Sequence, residues 1–223
     1  MKLTVFGATG GLGTRVWKRA LEAGHSVVAF VRTPSKLDRS DPKHASLEVF
    51  TGDVMDASAV TTATEGCDVV VNCTSPAGGN STLEMARSIV NHGSNAGVRS
   101  FYMVGGIGAL WVPGTERRLL VQDWDDPAGM RAHGIARPMP KDAIRSMTKG
   151  HLASMEFMAT TGVEHTFICP GLMLDGSASP TRRVTLDELG GASVAQITYD
   201  DVAATIVEDL NIARLFGHRV CVS

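Results

Sequence analysis

The chain has 223 residues, of which 43% are hydrophobic and 20% are charged, and its formal net charge is −2. This composition is that of an ordinary folded protein, and the slightly acidic balance argues against a general nucleic-acid binder. No apolar run reaches the roughly 20 residues of a membrane helix, and the N-terminus shows no signal-peptide core, so we expect no membrane partner. From the length of the chain we expect a single domain over residues 1–223.

Apolar runs alternate with helical patterns along most of the chain. Predicted strands cover residues 2–6, 26–31, 46–50, 67–73, 98–104, 163–169 and 219–222, and predicted helices lie near 12–23, 56–64, 80–96, 142–161 and 199–210. Runs such as Phe101-Tyr102-Met103-Val104 are typical of strands that a parallel sheet buries on both faces. The alternation predicts the α/β class: a Rossmann-type, doubly wound parallel sheet flanked by helices, with a small C-terminal portion at a substrate pocket.

The first predicted strand runs directly into V-F-G-A-T-G-G-L-G, residues 5–13, and an amphipathic helix follows. Glycine recurs every third residue, which lets the backbone approach a pyrophosphate closely, and free N–H groups at the helix start bind its negative charge. A plain strand-to-helix turn is the alternative, because turns use glycine for other reasons. The context favours a dinucleotide site made by Gly7, Thr9, Gly10, Gly11, Leu12 and Gly13.

The second predicted strand ends at Arg32, and Lys36 follows four residues later. Sites for NAD place an acidic residue near this point to hold the ribose 2′-hydroxyl, whereas arginine suits a 2′-phosphate. Two cations without an acid therefore favour NADP over NAD. The alternative is that both cations are merely solvated surface charges.

Two long stretches follow the fifth and sixth strands, residues 107–141 and 170–183. Both leave the carboxyl ends of strands, where open α/β sheets bind ligands, so we expect them to wall a substrate pocket. Leu110 and Trp111 would flank or stack on a planar acceptor there, or else pack the loop onto the domain.

Four cysteines, Cys67, Cys73, Cys169 and Cys221, show no metal-ligand spacing and mostly lie in apolar runs. They are typical of reduced thiols in or near a core, which predicts a cytoplasmic protein without a metal site.

The chain resembles the atypical short-chain dehydrogenase/reductases, and among them the biliverdin-IXβ reductase and NAD(P)H-flavin reductase group. The resemblance covers nearly the whole chain. It is carried by F-G-A-T-G-G-L-G (6–13), G-H-S-V-V-A-F-V-R-T-P-S-K-L (24–37), G-D-V-M-D (52–56), V-V-V-N-C-T-S (69–75), V-G-G-I-G-A-L (104–110) and G-V-E-H-T-F-I-C-P-G (162–171). The first two motifs identify the superfamily, and V-G-G-I-G-A-L followed by W-V-P-G-T is narrower and points to the flavin-reductase-like branch.

The resemblance implies further cofactor contacts at the ends of three strands. Asp53 and Val54 would hold the adenine ring, although Asp53 also suits a plain turn. Small side chains after the fourth strand would face the ribose and pyrophosphate, and two glycines after the fifth would lie beside the nicotinamide ribose: Cys73, Thr74, Ser75, Gly105 and Gly106.

The Tyr-x-x-x-Lys pair of typical short-chain dehydrogenases is missing, because neither Tyr102 nor Tyr199 has lysine four residues on. The family serine after the fifth strand is Gly105 here, and a family histidine after the sixth strand is Leu172. His151 matches a second family histidine and is the candidate proton donor, since imidazole titrates near neutrality. An exposed helix histidine is the alternative. Lys149 and then His133 are weaker candidates.

Two functions fit these residues. The first is hydride transfer from NADPH to a planar acceptor such as flavin or quinone, which needs stacking and orientation more than acid–base groups. The second is a non-catalytic, NADP-binding redox sensor that is similar to NmrA-type proteins. An isomerase or epimerase is disfavoured, because such enzymes keep the tyrosine and lysine. We expect a monomer or a homodimer whose partner is a small molecule.

Overall fold

A computed structural model describes residues 1–75, 81–115, 128, 141–190 and 196–223. Ten strands lie in these ranges: β1 Lys2–Phe6, β2 Ser26–Val31, β3 Glu48–Thr51, β4 Val69–Asn72, β5 Ser100–Val104, β6 Glu164–Ile168, β7 Leu172–Leu174, β8 Val184–Leu186, β9 Gln196–Thr198 and β10 Arg219–Val222. Five α-helices accompany them: α1 Gly11–Glu22, α2 Ala57–Thr64, α3 Thr82–Asn95, α4 Lys141–Ala159 and α5 Tyr199–Asp209.

Eight of the strands form one sheet in the order β3-β2-β1-β4-β5-β6-β10-β8. All neighbours are parallel except β8, which runs antiparallel to β10 at one edge. The strands β7 and β9 form a separate two-stranded parallel sheet. The predicted Rossmann-type, doubly wound α/β fold is therefore confirmed.

Successive residues of the central strands pack on opposite faces of the sheet. Leu3 and Val5 of β1 join α1 and α5, with the indole of Trp17 at the centre of that layer. Phe6 joins Phe101 in the other layer, which α2, α3 and α4 cover. Because both faces are covered, the strands are apolar throughout, as the sequence indicates.

The predicted strands and helices agree with the observed ones to within a few residues. The strands β7, β8 and β9 are missing from the sequence prediction, because three residues carry too little pattern and their pairing depends on distant partners. None of the helices in the described ranges is long and apolar enough to cross a membrane.

Candidate functional site

The candidate site lies where the chain changes direction across the sheet, between β1 and β4. From β1 the chain continues through α1 to β2 on one side, whereas β4 pairs with β1 on the other, with Phe6 opposite Asn72. Crevices of this kind, at the carboxyl ends of parallel strands, are the ligand sites of open α/β sheets. The backbone N–H of Cys73 donates to the carbonyl of Phe6 at 3.0 Å and brings the two strand ends together.

Gly7 begins the turn after β1 and requires glycine for two reasons. Its φ of +73° lies in the left-handed region, which side chains disfavour. A Cβ atom at Gly7 would lie 2.5 Å from the carbonyl oxygen of Cys73 and 2.9 Å from the amide nitrogen of Thr74. The end of β1 therefore contacts the end of β4 backbone to backbone.

The other two glycines of the motif pack the start of α1 against this turn. A Cβ atom at Gly13 would collide with the carbonyl oxygen of Gly7, and one at Gly10 would lie 3.3 Å from the same oxygen. The carbonyl of Ala8 accepts a hydrogen bond from the Thr14 hydroxyl and another from the buried Trp17 indole, each at 3.1 Å. These contacts fix the turn without using the first N–H groups of the helix.

The N-terminus of α1 has no side-chain cap, since its N-cap residue is Gly10. Uncapped N–H groups and the helix dipole together make a site for an anion. Leu12 is buried in the core, so only its backbone is available there, whereas the side chain of Thr9 is exposed.

Gly11 accommodates an aromatic ring that the sequence reading did not place at this site. A Cβ atom at Gly11 would lie 2.8 Å from Cζ of Tyr199, the first residue of α5. No local sequence pattern indicates this contact, because 187 residues lie between Gly11 and Tyr199.

Small side chains follow β4, as the sequence indicates, and Asn72 fixes their path. Its Oδ1 atom accepts from the backbone N–H of Thr74 at 3.0 Å and from the Thr74 hydroxyl at 2.7 Å. Burial raises the pKa of the Cys73 thiol to about 12, so this cysteine is neutral. Ser75 is exposed at the end of the segment. Asn72 is a positioning residue that the sequence analysis missed.

The two cations after β2 are available to a ligand. Arg32 follows the last residue of β2, next to β1, and both Arg32 and Lys36 are exposed. Neither makes a hydrogen bond or an ion pair through its side chain with other residues in the described part of the chain.

Asp53 and Val54 follow β3 and have structural contacts of their own. The carboxylate of Asp53 accepts from the backbone N–H of Met55 at 2.9 Å, so the turn interpretation is correct for one of its oxygens. Val54 is buried in the core, and its carbonyl accepts from the Ser88 hydroxyl at 2.6 Å. A role of either residue in holding adenine stays a prediction.

At the carboxyl end of β5, Gly105 and Gly106 expose backbone beside His151. The N–H of Gly105 donates to the carbonyl of Ile168 at 2.7 Å, which joins the ends of β5 and β6. A Cβ atom at Gly106 would lie 3.6 Å from the imidazole of His151 on α4. The structure thus places His151 at the predicted strand end, whereas the side chain of Lys149 is exposed.

His151 is not the exposed helix histidine of the alternative interpretation, since only 7% of its surface is accessible. Burial lowers the pKa of His151 to about 4, so the imidazole is neutral near pH 7. The expectation that it titrates near neutrality is therefore wrong. A neutral imidazole still donates a hydrogen bond through one ring nitrogen.

The segment after β5 packs onto the domain where the structure describes it. Leu110 is fully buried and cannot flank an acceptor, and the Trp111 ring lies 4.7 Å from the guanidinium of Arg219. The loop-packing alternative is therefore correct for Leu110. Residues 116–127 and 129–140, with His133 among them, lie outside the described residues. Leu172 is 55% exposed just after β6.

Neither tyrosine forms a catalytic pair with lysine. Tyr102 is fully buried, and its hydroxyl donates to Asp209 at 2.7 Å. Burial and the neighbouring Asp209 carboxylate raise the pKa of Tyr102 far above its usual range, so it does not ionise.

A family model described as NAD(P)H-binding matches residues 7–212. The chain belongs to this NAD(P)H-binding family. The match spans the glycine turn, the ends of β2 to β6 and most of α5, and it confirms the resemblance to NAD(P)-binding proteins of the atypical dehydrogenase/reductase kind.

Several proteins are similar to this NAD(P)H-binding chain over nearly its full length. The uncharacterized protein YwnB of Bacillus subtilis is 24% identical over 94% of this chain and 92% of its own. Three solved structures share the fold: a candidate exported protein from Burkholderia pseudomallei (TM-score 0.79, 23% identity, 100% and 99% of the two chains covered), ChuY, an anaerobilin reductase from Escherichia coli O157:H7 (0.73, 20%, 99% and 96%), and a candidate NADH-flavin reductase from Streptococcus pneumoniae (0.75, 21%, 100% and 98%).

The site fits a dinucleotide on its own geometry. Side chains at Gly7 and Gly13 would fill the turn against backbone atoms, and the helix start has no cap of its own. The residues that would hold the phosphates are the backbone of the turn and the first residues of α1, and the ends of β4 and β5, with Thr74 and Gly106, follow next along the same sheet.

Proposed function

We propose that the protein is an NADPH-dependent oxidoreductase that reduces a planar acceptor such as a flavin or a quinone. The observation that carries this proposal is the carboxyl end of β5, where the bare backbone of Gly105 and Gly106 lies beside the buried His151. A bound nicotinamide cofactor supplies the hydride, and the protein supplies position and exclusion of water.

The groups at this strand end favour acceptors that need no strong acid. With a pKa of about 4, His151 holds no proton to give as an imidazolium near pH 7. Its remaining role is to donate a hydrogen bond from a neutral ring, which orients an acceptor oxygen or nitrogen. A carbonyl substrate, whose alkoxide needs a proton donor, fits this arrangement less well.

An apolar surface follows β6, the strand next to β5 in the sheet. Leu172 and Leu174 of β7 are 55% and 40% exposed, whereas Met173 between them packs toward the core. The two leucines therefore share one face, which supports a flat hydrophobic acceptor over a small polar one. The names of two structural neighbours, an anaerobilin reductase and a candidate NADH-flavin reductase, agree with this class of acceptor.

Arg32 and Lys36 support NADPH over NADH. Both are exposed after β2, and neither side chain is engaged by other residues within the described ranges. A guanidinium in this position matches the ribose 2′-phosphate of NADPH in shape and charge.

A redox-sensing regulator is the second candidate, and the same strand end supports it. Among the described residues, no tyrosine–lysine pair and no histidine that titrates near pH 7 lies at this strand end, which suits a protein that binds NADPH without turning it over. The acceptor assay below separates the two candidates.

The test is turnover of NADPH with FMN, menadione and biliverdin as separate acceptors, followed by the absorbance of the reduced nicotinamide. We expect at least one acceptor to be reduced. Binding of NADPH without turnover of any acceptor would favour the regulator, and absence of NADPH binding would contradict both candidates.

A Gly106→Val variant tests whether the reaction takes place at this strand end. The backbone at Gly106 is extended, so valine causes no strain at this position, but the added methyl groups would lie close to His151. We expect turnover to fall about tenfold or more, because positioning is lost, while affinity for ADP, which lacks both the second ribose and the nicotinamide, stays unchanged. Undiminished turnover in this variant would place the reaction elsewhere.

The compartment and the assembly are part of the proposal. The four cysteines are all unpaired, and three of them are buried, which favours a reducing environment such as the cytoplasm. We propose that the protein acts there as a monomer or a homodimer.

A further inference from the structure

The first turn of α1 is covered by a side chain from the last quarter of the chain. A Cβ atom at Gly11 would lie 2.8 Å from Cζ of Tyr199, the ring carbon that carries the hydroxyl. The phenol ring therefore lies against the first residue of α1, whose N-terminus has no side-chain cap.

The Tyr199 hydroxyl makes no hydrogen bond with any residue in the described part of the chain. The ring is half-buried, so the hydroxyl is held in place without being used for packing. A phenolic O–H is a good donor to a phosphate oxygen, and hydrogen bonds to charged acceptors are the stronger ones.

Arg15 adds a positive charge to the same turn. Long side chains on a helix lean toward its N-terminus, and the Arg15 guanidinium reaches back to donate to the carbonyl of Gly11 at 3.1 Å. It also donates to Asp175 at 2.7 Å and lies 5.4 Å from the centre of the Tyr199 ring. Three contacts thus orient a guanidinium that has five N–H donors.

Contacts away from the turn hold Tyr199 in place. Thr198 caps α5 in a reciprocal pair with Asp201, and Asp200 accepts two hydrogen bonds from Arg19 of α1, each at 2.6 Å. The Arg19 guanidinium lowers the pKa of Asp200, so the pair is ionic at neutral pH. The start of α5 is therefore fixed on α1 whether or not a ligand is bound.

We propose that the Tyr199 hydroxyl and the Arg15 guanidinium bind the pyrophosphate of the dinucleotide. The glycine turn and the N–H groups of α1 form one wall of the phosphate site, and these two side chains form the opposite wall. The inference rests on dinucleotide binding, which the family indicates, and does not depend on which acceptor is reduced.

The test compares Tyr199→Phe and Arg15→Gln with wild type, with Lys18→Gln as the matched control. Lys18 is a cation on the same helix whose ammonium lies 5.4 Å from the centre of the Trp17 ring. Affinity is measured by calorimetry for NADPH and for ADP-ribose, which keeps the pyrophosphate and lacks the nicotinamide. We expect Tyr199→Phe to weaken both ligands about tenfold and Arg15→Gln by about the same factor or more.

Lys18→Gln should change the affinities for NADPH and for ADP-ribose less than about twofold, since salt screens a charge that does not contact the ligand. ADP-ribose affinity of Tyr199→Phe within twofold of wild type would overturn the proposal. A loss confined to NADPH would also overturn it, because the hydroxyl would then act at a group that ADP-ribose lacks, either the nicotinamide or the 2′-phosphate. Tyr199→Phe removes no hydrogen bond within the described residues, so a thermal melt should show that it folds. Failure of the acceptor assay would leave these outcomes unchanged.

Discussion

The two ends of the candidate site differ in whether backbone or side-chain atoms line them. At the β1–β4 end, Gly7 lies directly against the backbone of Cys73 and Thr74, and a single added carbon would collide with main-chain atoms. At the β5–β6 end, a carbon added at Gly106 would meet only the side chain of His151, at 3.6 Å. The first end is rigid backbone, and the second is a space bounded by replaceable side chains.

On the proposed function, the β1–β4 end binds the cofactor and the β5–β6 end selects the acceptor. A phosphate is recognised by N–H groups that every sequence possesses, provided that the turn is shaped correctly. An acceptor is recognised by side chains, so its chemistry changes with a few substitutions at positions such as His151 and Leu172. The predictions below test each half of the comparison, beginning with the largest expected effect.

Replacing Gly7 by alanine tests whether the phosphate end depends on backbone contact. The Cβ atom would collide with Cys73, and the left-handed backbone would be strained as well. We expect a loss of about 3 kcal/mol or more in the free energy of unfolding, measured by urea denaturation, and loss of measurable NADPH binding.

Gly24→Ala is the matched control, since Gly24 has a φ of +84° but no atom within 4 Å of an added carbon. This change isolates backbone strain and should cost only about 1 kcal/mol, with NADPH binding unchanged. Equal losses in the two variants would show that strain, and not contact with β4, makes Gly7 necessary.

Acid sensitivity tests whether the acceptor end is desolvated. The pKa of His151 is about 4 in the folded protein, below the ordinary value of 6.5, so the unfolded chain takes up the proton first as the pH falls. The contribution of the neutral, buried His151 to the free energy of unfolding is complete above pH 6.5 and is lost progressively between pH 6.5 and 4. We expect wild type to lose about 2 kcal/mol from this source between pH 7 and pH 5.

Urea denaturation of His151→Gln at both pH values measures this contribution. The variant should lose less stability than wild type between the two, whatever its stability at pH 7. An unchanged difference between the two pH values would mean that His151 is solvated and titrates normally.

Arg32→Ala tests the exposed cation after β2, which is the neighbour of β1 on the side away from β4. We expect NADPH affinity to fall about tenfold and NADH affinity to change less than twofold, because only NADPH carries the 2′-phosphate. Arg99→Ala removes the same charge at the opposite edge of the sheet, just before β5, and should affect neither ligand. Equal weakening of NADPH and NADH would exclude the 2′-phosphate role.

The phosphate end was predictable because its signals are local. The apolar run, the three glycines and the following helix occupy fewer than 25 consecutive residues, and the alternation of strands and helices predicts a doubly wound parallel sheet. The cations after β2 were identified by the same local reasoning, from their place after a strand.

What the sequence did not show depends on packing between distant residues. Tyr199 reaches Gly11 only after α5 has docked on α1, and the pKa of His151 is lowered by burial that its helical neighbours do not reveal. Asn72 ends an apolar strand and looked like part of it, although its amide fixes Thr74. Trp111 has several partners in the fold, and residue type alone does not select among them.

The cover over α1 also has a consequence for how the protein is made. Arg15 and Asp175 are 160 residues apart, and Arg19 and Asp200 are 181 apart. A ribosome releases the N-terminal turn first, and domains fold as their segments emerge. The glycine turn therefore leaves the ribosome long before Asp175, Tyr199 and Asp200, and the phosphate site proposed above is complete only after these residues have emerged.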